Sequence, residues 1–349
     1  MKRTHLLTTL LALLALTVNT FAQNNTPTFP DYYAAADGKK GAELKTALCA
    51  IITANHKSLD YGDLWAYYET TDRRSDGKVW DMYSSKSNFT FETDQDKGSG
   101  GSTEGDKFNR EHSFPNSWFG GVKNSIMYSD LFHLYPTDKL VNNKRGNNPF
   151  GETNGNSYKS ADNFSKLGTC TYSGYTGTVF EPNDIYKGDF ARTYFYMVTR
   201  YQDEIEGWYT SYGVNGEKGE DTQKAVLATL DGNKYPGLQS WQLEMLMKWA
   251  QNDPVDNPIA KETPRNEEVA KIQKNRNPFI DYPGLEEYIW GSMKNVAFSY
   301  DNYQQPTAIM TVKTEHRYND GVMYNTSGQV VDKSYKGIVI VNGKKFFNK

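Results

Sequence analysis

Two histidines of this chain lie 21 residues apart, each among carboxylate, amide and basic side chains. The first, His112, directly follows Glu111 in NREHSFPNSW, and the second, His133, lies in DLFHLYPTDKLVNNKRGNNPFGE. The second segment is also dense in amide and guanidinium groups, at Asn142, Asn143, Arg145, Asn147 and Asn148. Such a grouping of acid, imidazole and amide groups is typical of a site that does chemistry on a charged substrate.

A hard cation such as Mg²⁺ takes oxygen ligands, keeps several waters, and often needs one or two protein groups plus a substrate phosphate. Glu111 and an asparagine oxygen meet that need, and a nearby histidine is then free to take a proton from an attacking water. Metal and base together predict a phosphodiesterase site. Taken singly, each residue also has an ordinary role: a buried structural histidine, asparagines in tight turns, and Lys144 and Arg145 on a solvated face.

Glu111 and His112 are neighbours, and neighbouring side chains of a strand point to opposite faces. Both therefore face one pocket only if the strand ends or bulges there. The surrounding chain predicts the elements that position them. Apolar periodicity predicts helices over 40–56, over GDLWAYYETTD, over 183–201 with Asn183 or Asp184 as cap, from Ser240 to Asp253, and in two pieces ending near Gly291.

The remaining patterns are extended or irregular. VWDMYS, from Val79, predicts a strand, the Gly- and Ser-rich stretch before Phe108 predicts a loop, and REHSFP predicts extended chain. From about residue 300 the chain changes to short β-type runs separated by turns, which places a domain boundary near residues 297–308.

The amino terminus, residues 1–22, has a basic start, an apolar run and a small residue at Ala22, the pattern of a secretory signal peptide. The alternative is an uncleaved membrane anchor, but the run is short for a membrane span. Two cysteines, Cys49 and Cys170, are compatible either with one disulfide in an exported protein or with buried free thiols. They are too few for a cysteine-based zinc site.

Net charge is -3 and the pI is about 6.0, so the chain lacks the global basic signature of many nucleic-acid binders. Residues 107–159 differ: seven Lys and Arg against four Asp and Glu give 7 − 4 = +3. A modestly basic groove of this kind suits transient, sequence-independent phosphate contact.

Five blocks resemble, in order, the secreted bacterial endonuclease I family: NREHSFPNSW, DLFHLYPTDKLVNNKRGNNPFG, FEPNDIYKGDFARTYFYMVTRY, NDPVDNP and NRNPFIDYP. This group contains non-specific nucleases with a ββα-metal, or His-Me finger, active site. The similarity covers roughly residues 40–291. It implies an α+β fold with a mostly helical body around the ββα-metal motif. The change of pattern after residue 300 adds a small β-rich carboxy-terminal tail.

The resemblance also implies roles by position. His112 matches the general base, Asn142 the metal-binding asparagine, and Glu111 the carboxylate that helps hold the metal. His133 precedes that asparagine and is expected to support the site. Phosphate-binding residues are expected at Arg145, Lys123, Arg110 and Asn147.

The chain departs from the family pattern in one respect. Some members carry an arginine between the two site segments to stabilise charge, whereas residues 113–129 here contain only Lys123 as a basic residue. A lysine supplies a point charge without the bidentate fork of a guanidinium. Arg110, Arg145 and Arg192 are the alternatives, and the sequence leaves the choice open.

The resulting prediction is an exported, Mg²⁺-dependent, non-specific endonuclease cutting DNA, with RNA as a further substrate, and leaving 5′-phosphate ends. Ca²⁺ or Mn²⁺ are alternative ions, and a monomer is expected. The alternatives are a metal-dependent phosphodiesterase for small nucleotides and a catalytically inactive surface-binding protein. The domains are expected at 1–22, 23–298 and 299–349, the last being either a sorting or surface-attachment segment or a β-extension of the main domain.

Overall fold

The structure is a computed structural model that describes residues 28–255, 262–306, 323–325, 330–332, 334–341 and 344–348. The predicted leader at 1–22 and part of the block NDPVDNP lie outside these residues. The chain divides into two compact units, with the break between Pro306 and Thr307.

Helices dominate the first unit. They are α1 (Gly41–Thr53), α2 (Leu64–Thr71), α3 (Lys139–Arg145), α4 (Lys187–Arg200), α5 (Ile205–Trp208), α6 (Glu220–Thr229), α7 (Ser240–Asn252), α8 (Glu262–Gln273), α9 (Pro278–Asp281) and α10 (Leu285–Ile289). Short 3-10 helices occur at Asp31–Ala36, Asn116–Phe119, Ile126–Ser129, Ala161–Asn163 and Asp184–Tyr186, and a π-helical turn at Tyr209–Val214.

Two small antiparallel sheets belong to the same unit. One consists of β1 (Phe108–His112) and β2 (Leu134–Asp138); the other has the order β3 (Tyr158–Lys159), β4 (Lys166–Thr169), β5 (Thr178–Glu181). Helices together with small antiparallel sheets confirm the predicted α+β class.

The centre of this unit is α4, which is buried on all sides rather than along a single apolar stripe. Its aromatic residues meet rings from several directions: Phe190 lies 4.7 Å from Phe150 and Phe195 lies 5.3 Å from Trp290, between ring centroids. A helix buried all round must also satisfy its polar side chains. Arg192 does so through two bonds to Glu262, at 2.7 and 2.6 Å.

Helices lie within the predicted ranges 40–56, 62–72, 183–201 and 240–253, and the two carboxy-terminal helical pieces are also present. Asn183 is the residue that caps, accepting the backbone N–H of Ile185 at 3.2 Å. In NRNPFID, Asn277 caps the short helix α9 and Arg276 pairs with Asp281 at 2.6 Å.

The strand predicted from Val79 was wrong. Val79 makes one isolated bridge with Arg73, and the chain then turns. Asp81 Oδ1 accepts the backbone N–H of Tyr83 at 2.8 Å, an Asx-type bond that competes with strand pairing.

The predicted change of structure after residue 300 is present in the second unit. Its described residues form an antiparallel sheet of order β7 (Val330–Val331), β6 (Met323–Asn325), β8 (Gly337–Val341), β9 (Lys344–Asn348), and no helix occurs among them. Across the described part of the chain, no helix has the length and apolar character needed to cross a bilayer.

Residues 299–306, which the sequence assigned to the tail, contact the first unit. Tyr282 Oη donates to the carbonyl of Tyr300 at 2.7 Å, and Tyr303 Oη donates to that of Pro283 at 2.9 Å. The ring of Tyr303 lies 4.9 Å from Tyr282 and 5.9 Å from Phe298. The eight residues after Phe298 therefore complete one edge of the first unit.

These contacts predict different outcomes for two truncations. A protein of residues 23–306 should keep the melting temperature of the main transition. In a protein of residues 23–298 the free energy of unfolding should fall by about 3–5 kcal/mol, and the melting temperature should fall with it. Removing Tyr303 and its neighbours exposes an aromatic cluster and leaves tyrosine hydroxyls without acceptors. Scanning calorimetry of both proteins beside the full chain measures the difference. Equal melting temperatures for the two truncations would show that residues 299–306 contribute nothing to the fold.

Candidate active site

A strand–strand–helix unit carries the predicted site residues. In the β1–β2 pair Glu111 lies opposite Tyr135 and His112 opposite Leu134. Strand β2 runs directly into α3, and Asp138 at the junction caps the helix by accepting the N–H of Val141 at 3.0 Å. Strand β2 and α3 are thus joined without an intervening loop.

Asp81 holds this junction from the side. Its Oδ2 accepts the backbone N–H of Asp138 at 3.1 Å and the hydroxyl of Ser87. Burial is the main cause that raises the pKa of Asp81 to about 7. The start of α3 therefore depends on a carboxyl group from the irregular segment after Val79.

Glu111 is held by two buried donors. Its Oε1 accepts the hydroxyl of Tyr83 at 2.9 Å and Nη1 of Arg145. Burial raises the pKa of Glu111, opposed by the Arg145 charge and by the Tyr83 hydrogen bond. Both donors act on the same oxygen, so the orientation of the carboxylate is fixed.

Arg145 is fully buried, at 0% exposure, which corrects its predicted phosphate contact. Besides Glu111, its guanidinium donates to the carbonyls of His112 at 2.9 Å and Ser113 at 2.6 Å. A side chain so enclosed cannot reach a substrate in this conformation. Its position in α3 and its bonds to the end of β1 make it the link between helix and strand.

His112 is the last residue of β1, and its ring contacts different residues from those that Glu111 contacts. Its Nε2 lies 2.9 Å from the carbonyl oxygen of Tyr128. Because a carbonyl can only accept, Nε2 carries the proton and the lone pair of the neutral ring is at Nδ1. Asn116 Nδ2 approaches that nitrogen at 3.2 Å.

Aromatic rings surround the His112 imidazole. Tyr61 stacks on it at 5.7 Å, and Tyr128 and Phe119 meet it at 4.6 and 6.2 Å, between ring centroids. Burial lowers the pKa of His112 well below its ordinary value, and the nearby His133 lowers it further. The ring is therefore neutral at pH 7, with its basic nitrogen fixed.

His133 supports this arrangement from a fully buried position. Its ring lies 5.4 Å from that of His112 and 5.8 Å from that of Phe119, and its Nε2 contacts the carbonyl of Met127 at 2.6 Å. Burial lowers the pKa of His133 as well. The contacts are those of a residue that packs beside the imidazole and braces its loop.

Asn142 faces the same strand surface as Glu111. Its Nδ2 donates to Oδ1 of Asn109 at 2.8 Å, and Asn109 precedes Glu111 by two positions, hence on the same face of β1. Because the nitrogen is committed to Asn109, the remaining polar atom of the amide is a carbonyl oxygen. Asn143, by contrast, is exposed.

This donor set fits a hard cation. Glu111 and Asn142 both offer oxygen, and the described residues contain no group of three or more His, Cys, Asp or Glu side chains that could hold a metal. Mg²⁺ in nucleic-acid enzymes uses one or two protein groups and completes its shell with water and phosphate. The softer transition metals prefer nitrogen and sulfur ligands, which this pair does not supply.

The other predicted phosphate ligands differ in accessibility. Lys123 is exposed, in the loop between Phe119 and Tyr128, and Asn147 is exposed just after α3, with its Nδ2 3.4 Å from the hydroxyl of Thr222. Arg110 is half-buried, with its guanidinium 3.7 Å from the ring centre of Tyr61. Arg192 is buried and paired with Glu262, which removes it as a candidate.

Sequence reasoning missed Tyr83, Asn109 and the Tyr128 carbonyl. Tyr83 lies 28 residues before Glu111, and no local pattern connects the two. Asn109 offered a signal, since it is two positions from Glu111 and thus on the same strand face. A backbone carbonyl carries no signal in the sequence.

Comparison with known proteins identifies similar sequences. The family model for Endonuclease I matches residues 40–284. An extracellular ribonuclease of Bacillus subtilis (strain 168) is 35% identical over 265 residues, which cover 74% of this chain and 78% of that protein. An extracellular ribonuclease of Bacillus amyloliquefaciens is 34% identical over 263 residues, with the same coverage.

The burial of Arg145 predicts that its loss acts on folding. Arg145→Ala should lower the free energy of unfolding by about 3–5 kcal/mol, because Glu111 would be left buried without its counter-charge. Lys144→Ala, at the exposed neighbouring position, should change it by less than about 0.5 kcal/mol. Urea unfolding of both variants measures this. An Arg145→Ala protein as stable as the wild type would contradict the structural role.

Proposed function

The chain belongs to the endonuclease I family and is a nuclease that hydrolyses phosphodiester bonds, and we propose that it is an exported, metal-dependent endonuclease that cuts without sequence preference. The observation that carries the proposal is the pair of fixed groups at the end of β1: a neutral His112 with its lone pair at Nδ1, beside a Glu111 held by Tyr83 and Arg145. We propose DNA as substrate, with RNA as the further substrate that the names of the two relatives support.

In the proposed mechanism His112 is the general base. Its Nδ1 takes a proton from the water that attacks phosphorus, while the Tyr128 carbonyl stabilises the imidazolium that forms. Asn116 approaches Nδ1 at the long end of the hydrogen-bond range, 3.2 Å, a contact that a water can replace. The surrounding rings of Tyr61 and Phe119 keep bulk solvent from protonating the base.

Glu111 and Asn142 would hold the metal through their side-chain oxygens. When bound, a divalent ion supplies Lewis acidity that stabilises charge on the phosphate and on the leaving 3′ oxygen, which leaves 5′-phosphate ends. Tyr83 and Arg145 orient Glu111 for this role, and Asn109 orients Asn142. Mg²⁺ is the proposed ion, with Ca²⁺ or Mn²⁺ as alternatives of similar oxygen preference.

Lys123 is the proposed contact for substrate charge. It is exposed in the loop whose two ends, Phe119 and Tyr128, contact the His112 ring, so the loop that carries Lys123 adjoins the base. Asn147, exposed at the end of α3, and the half-buried Arg110 are secondary candidates. A lysine suits a non-specific enzyme because a point charge contacts phosphate in many orientations.

Export is proposed from two observations. Residues 1–22 have the pattern of a secretory signal peptide, and both relatives are named as extracellular.

A phosphodiesterase for small nucleotides would use the same chemistry. Supercoiled plasmid separates the two, since only an endonuclease converts it to nicked and linear forms, and chelation by EDTA should stop the conversion.

Replacing the proposed base should abolish most of the activity. His112→Ala should lower the rate of plasmid nicking by about 10²–10⁴-fold, because proton removal from the attacking water would lose its acceptor. His56→Ala removes another partly buried histidine, one that contacts Arg200, and should stay near the wild-type rate.

The pH profile gives a second measure of the same assignment. The pKa of His112 is lowered, so the ring stays neutral below pH 6.5 and loses its basic form only as pH falls through that lowered pKa. The acid limb of the wild-type rate profile should therefore lie below the ordinary histidine range. Near-normal activity of His112→Ala would rule out the base assignment.

Asn142 and its neighbour form a matched pair for testing metal binding. Asn142→Ala should raise the Mg²⁺ concentration for half-maximal activity by about 10- to 100-fold, since a metal ligand is lost. Asn143→Ala, exposed on the same helix, should leave the Mg²⁺ titration unchanged. If the two variants titrate alike, Asn142 is not a ligand.

A further inference from the structure

We propose that the cleft between α6 and the connection from β4 to β5 binds a base of the nucleic-acid strand, at a nucleotide flanking the one that is cut. The cleft has a volume of about 780 Å³, and its lining includes Asn148, Tyr175, Lys224 and Trp241. This inference rests on the proposed nuclease function, and it assigns to that function a contact with the substrate outside the reacting groups.

A two-ring platform forms one wall of the cleft. Tyr175 stacks on Trp241 with 4.8 Å between ring centroids and 14° between planes. Trp241 is nearly buried, and its indole N–H donates to the carbonyl of Ala228 at 2.7 Å, which fixes the plane. Tyr175 is half-exposed, so ring surface that Trp241 does not cover remains available for a base. Base–aromatic stacking tolerates any sequence, because every base has a π-face.

Glycines on either side of Tyr175 allow the platform to form. Gly174 has a φ of +98°, and a Cβ there would lie 2.8 Å from Cβ of Trp241. A Cβ at Gly177 would lie 2.1 Å from the Tyr175 hydroxyl. The loop therefore approaches Trp241 more closely than residues with side chains would permit.

The charges of the cleft favour a neutral ring over a phosphate. Asp221 and Lys224 both line it and offset each other. Lys224 interacts electrostatically with the Tyr175 hydroxyl and is paired with Glu220 at 2.5 Å, where both side chains are largely exposed. An exposed pair of this kind is weak and readily exchanged. Lys224 is thus positioned to contact the phosphate next to a stacked base.

A chain of contacts connects the cleft to the reacting groups. Asn116 contacts the His112 ring, and Trp118, two residues on, donates from its indole nitrogen to the carbonyl of Asn147 at 3.2 Å. Asn148, the next residue, lines the cleft. From Asn142 the backbone runs three residues in α3 and three beyond it, so Asn148 lies at most about 15 Å away. A few nucleotides of a strand span that distance.

The size of the cleft agrees with one or two nucleotides. Pockets for small ligands measure roughly 300–1,000 Å³, and this one lies within that range. A single-stranded or locally opened segment is the form of nucleic acid that can place a base there, since a base stacked in a duplex has both faces covered.

Binding, measured apart from cleavage, tests the assignment. The full chain carrying His112→Ala is titrated with fluorescent thymidine and uridine oligonucleotides of about 12 residues, in Mg²⁺, and Kd is read from anisotropy. Adding Tyr175→Ala should raise Kd by about 5- to 100-fold, whereas Tyr175→Phe, which keeps the ring, should stay within about two-fold. Tyr235→Ala, which removes a partly exposed tyrosine elsewhere, is the matched control and should also stay near the parent value.

A second measurement varies the oligonucleotide. An abasic nucleotide is moved along the oligonucleotide, and binding should weaken at the position whose base enters the cleft. In the Tyr175→Ala protein an abasic group at that position should not weaken binding further, because the stacking contact that it would remove is already absent. Thymidine and uridine strands that respond alike would show recognition of the base, and a uridine-only response would indicate recognition of ribose instead and overturn the assignment to a base.

The test of the base site can be distinguished from the test of the nuclease function. Hydrolysis of bis(p-nitrophenyl) phosphate, which has no base, should have the same kcat/KM in wild type and Tyr175→Ala. A folded Tyr175→Ala protein that binds oligonucleotides as tightly as its parent, with an unchanged abasic profile, overturns the base site. Failure of wild type to cut nucleic acid would instead overturn the proposed function and leave the binding result standing.

Discussion

The buried pair of Arg145 and Glu111 is the interaction on which the site depends. Arg145 belongs to α3 and Glu111 to β1, and their bond, with those from Arg145 to the carbonyls of His112 and Ser113, fastens the helix to the end of the strand. Burying such charges costs desolvation energy that attraction recovers only with good geometry. Here the same contacts also orient the Glu111 carboxylate and fix the backbone of His112, the proposed base.

Buried polar side chains of α8 also hold the β1–β2 sheet in position. Arg265 of α8 binds Asp72 at 2.8 Å and also donates to the carbonyl of Leu134 in β2 at 2.9 Å. Gln273 donates to Asp130 and accepts the N–H of Leu131, at 2.9 and 3.0 Å, just before β2. Residues far along the chain thus set the position of the strand that opposes Glu111 and His112. The short two-stranded sheet has little stability of its own and depends on this helical support.

Much of the helical fold could be predicted, because long amphipathic segments such as 183–201 and 240–253 carry their periodicity in the sequence. The site residues Glu111, His112 and Asn142 could be proposed from chemistry and family resemblance. Contacts across distance could not: Tyr83 reaches Glu111 from an irregular segment where a strand was predicted, and the side chain of Asp81 decides that local structure. The role of Arg145 was missed for a related reason, since a basic residue in a polar segment gives no sign that it will be enclosed.

Both cysteines are free and buried, with Cys49 Sγ 3.4 Å from the carbonyl of Arg200 in α4, so the alternative of a disulfide is not realised. Rigidity comes instead from aromatic packing and from carboxylates that collect several donors, such as Asp130 with the hydroxyls of Tyr196 and Tyr201. None of these contacts requires an oxidant. The native contacts of the described residues therefore do not depend on the redox state of the compartment in which the chain folds.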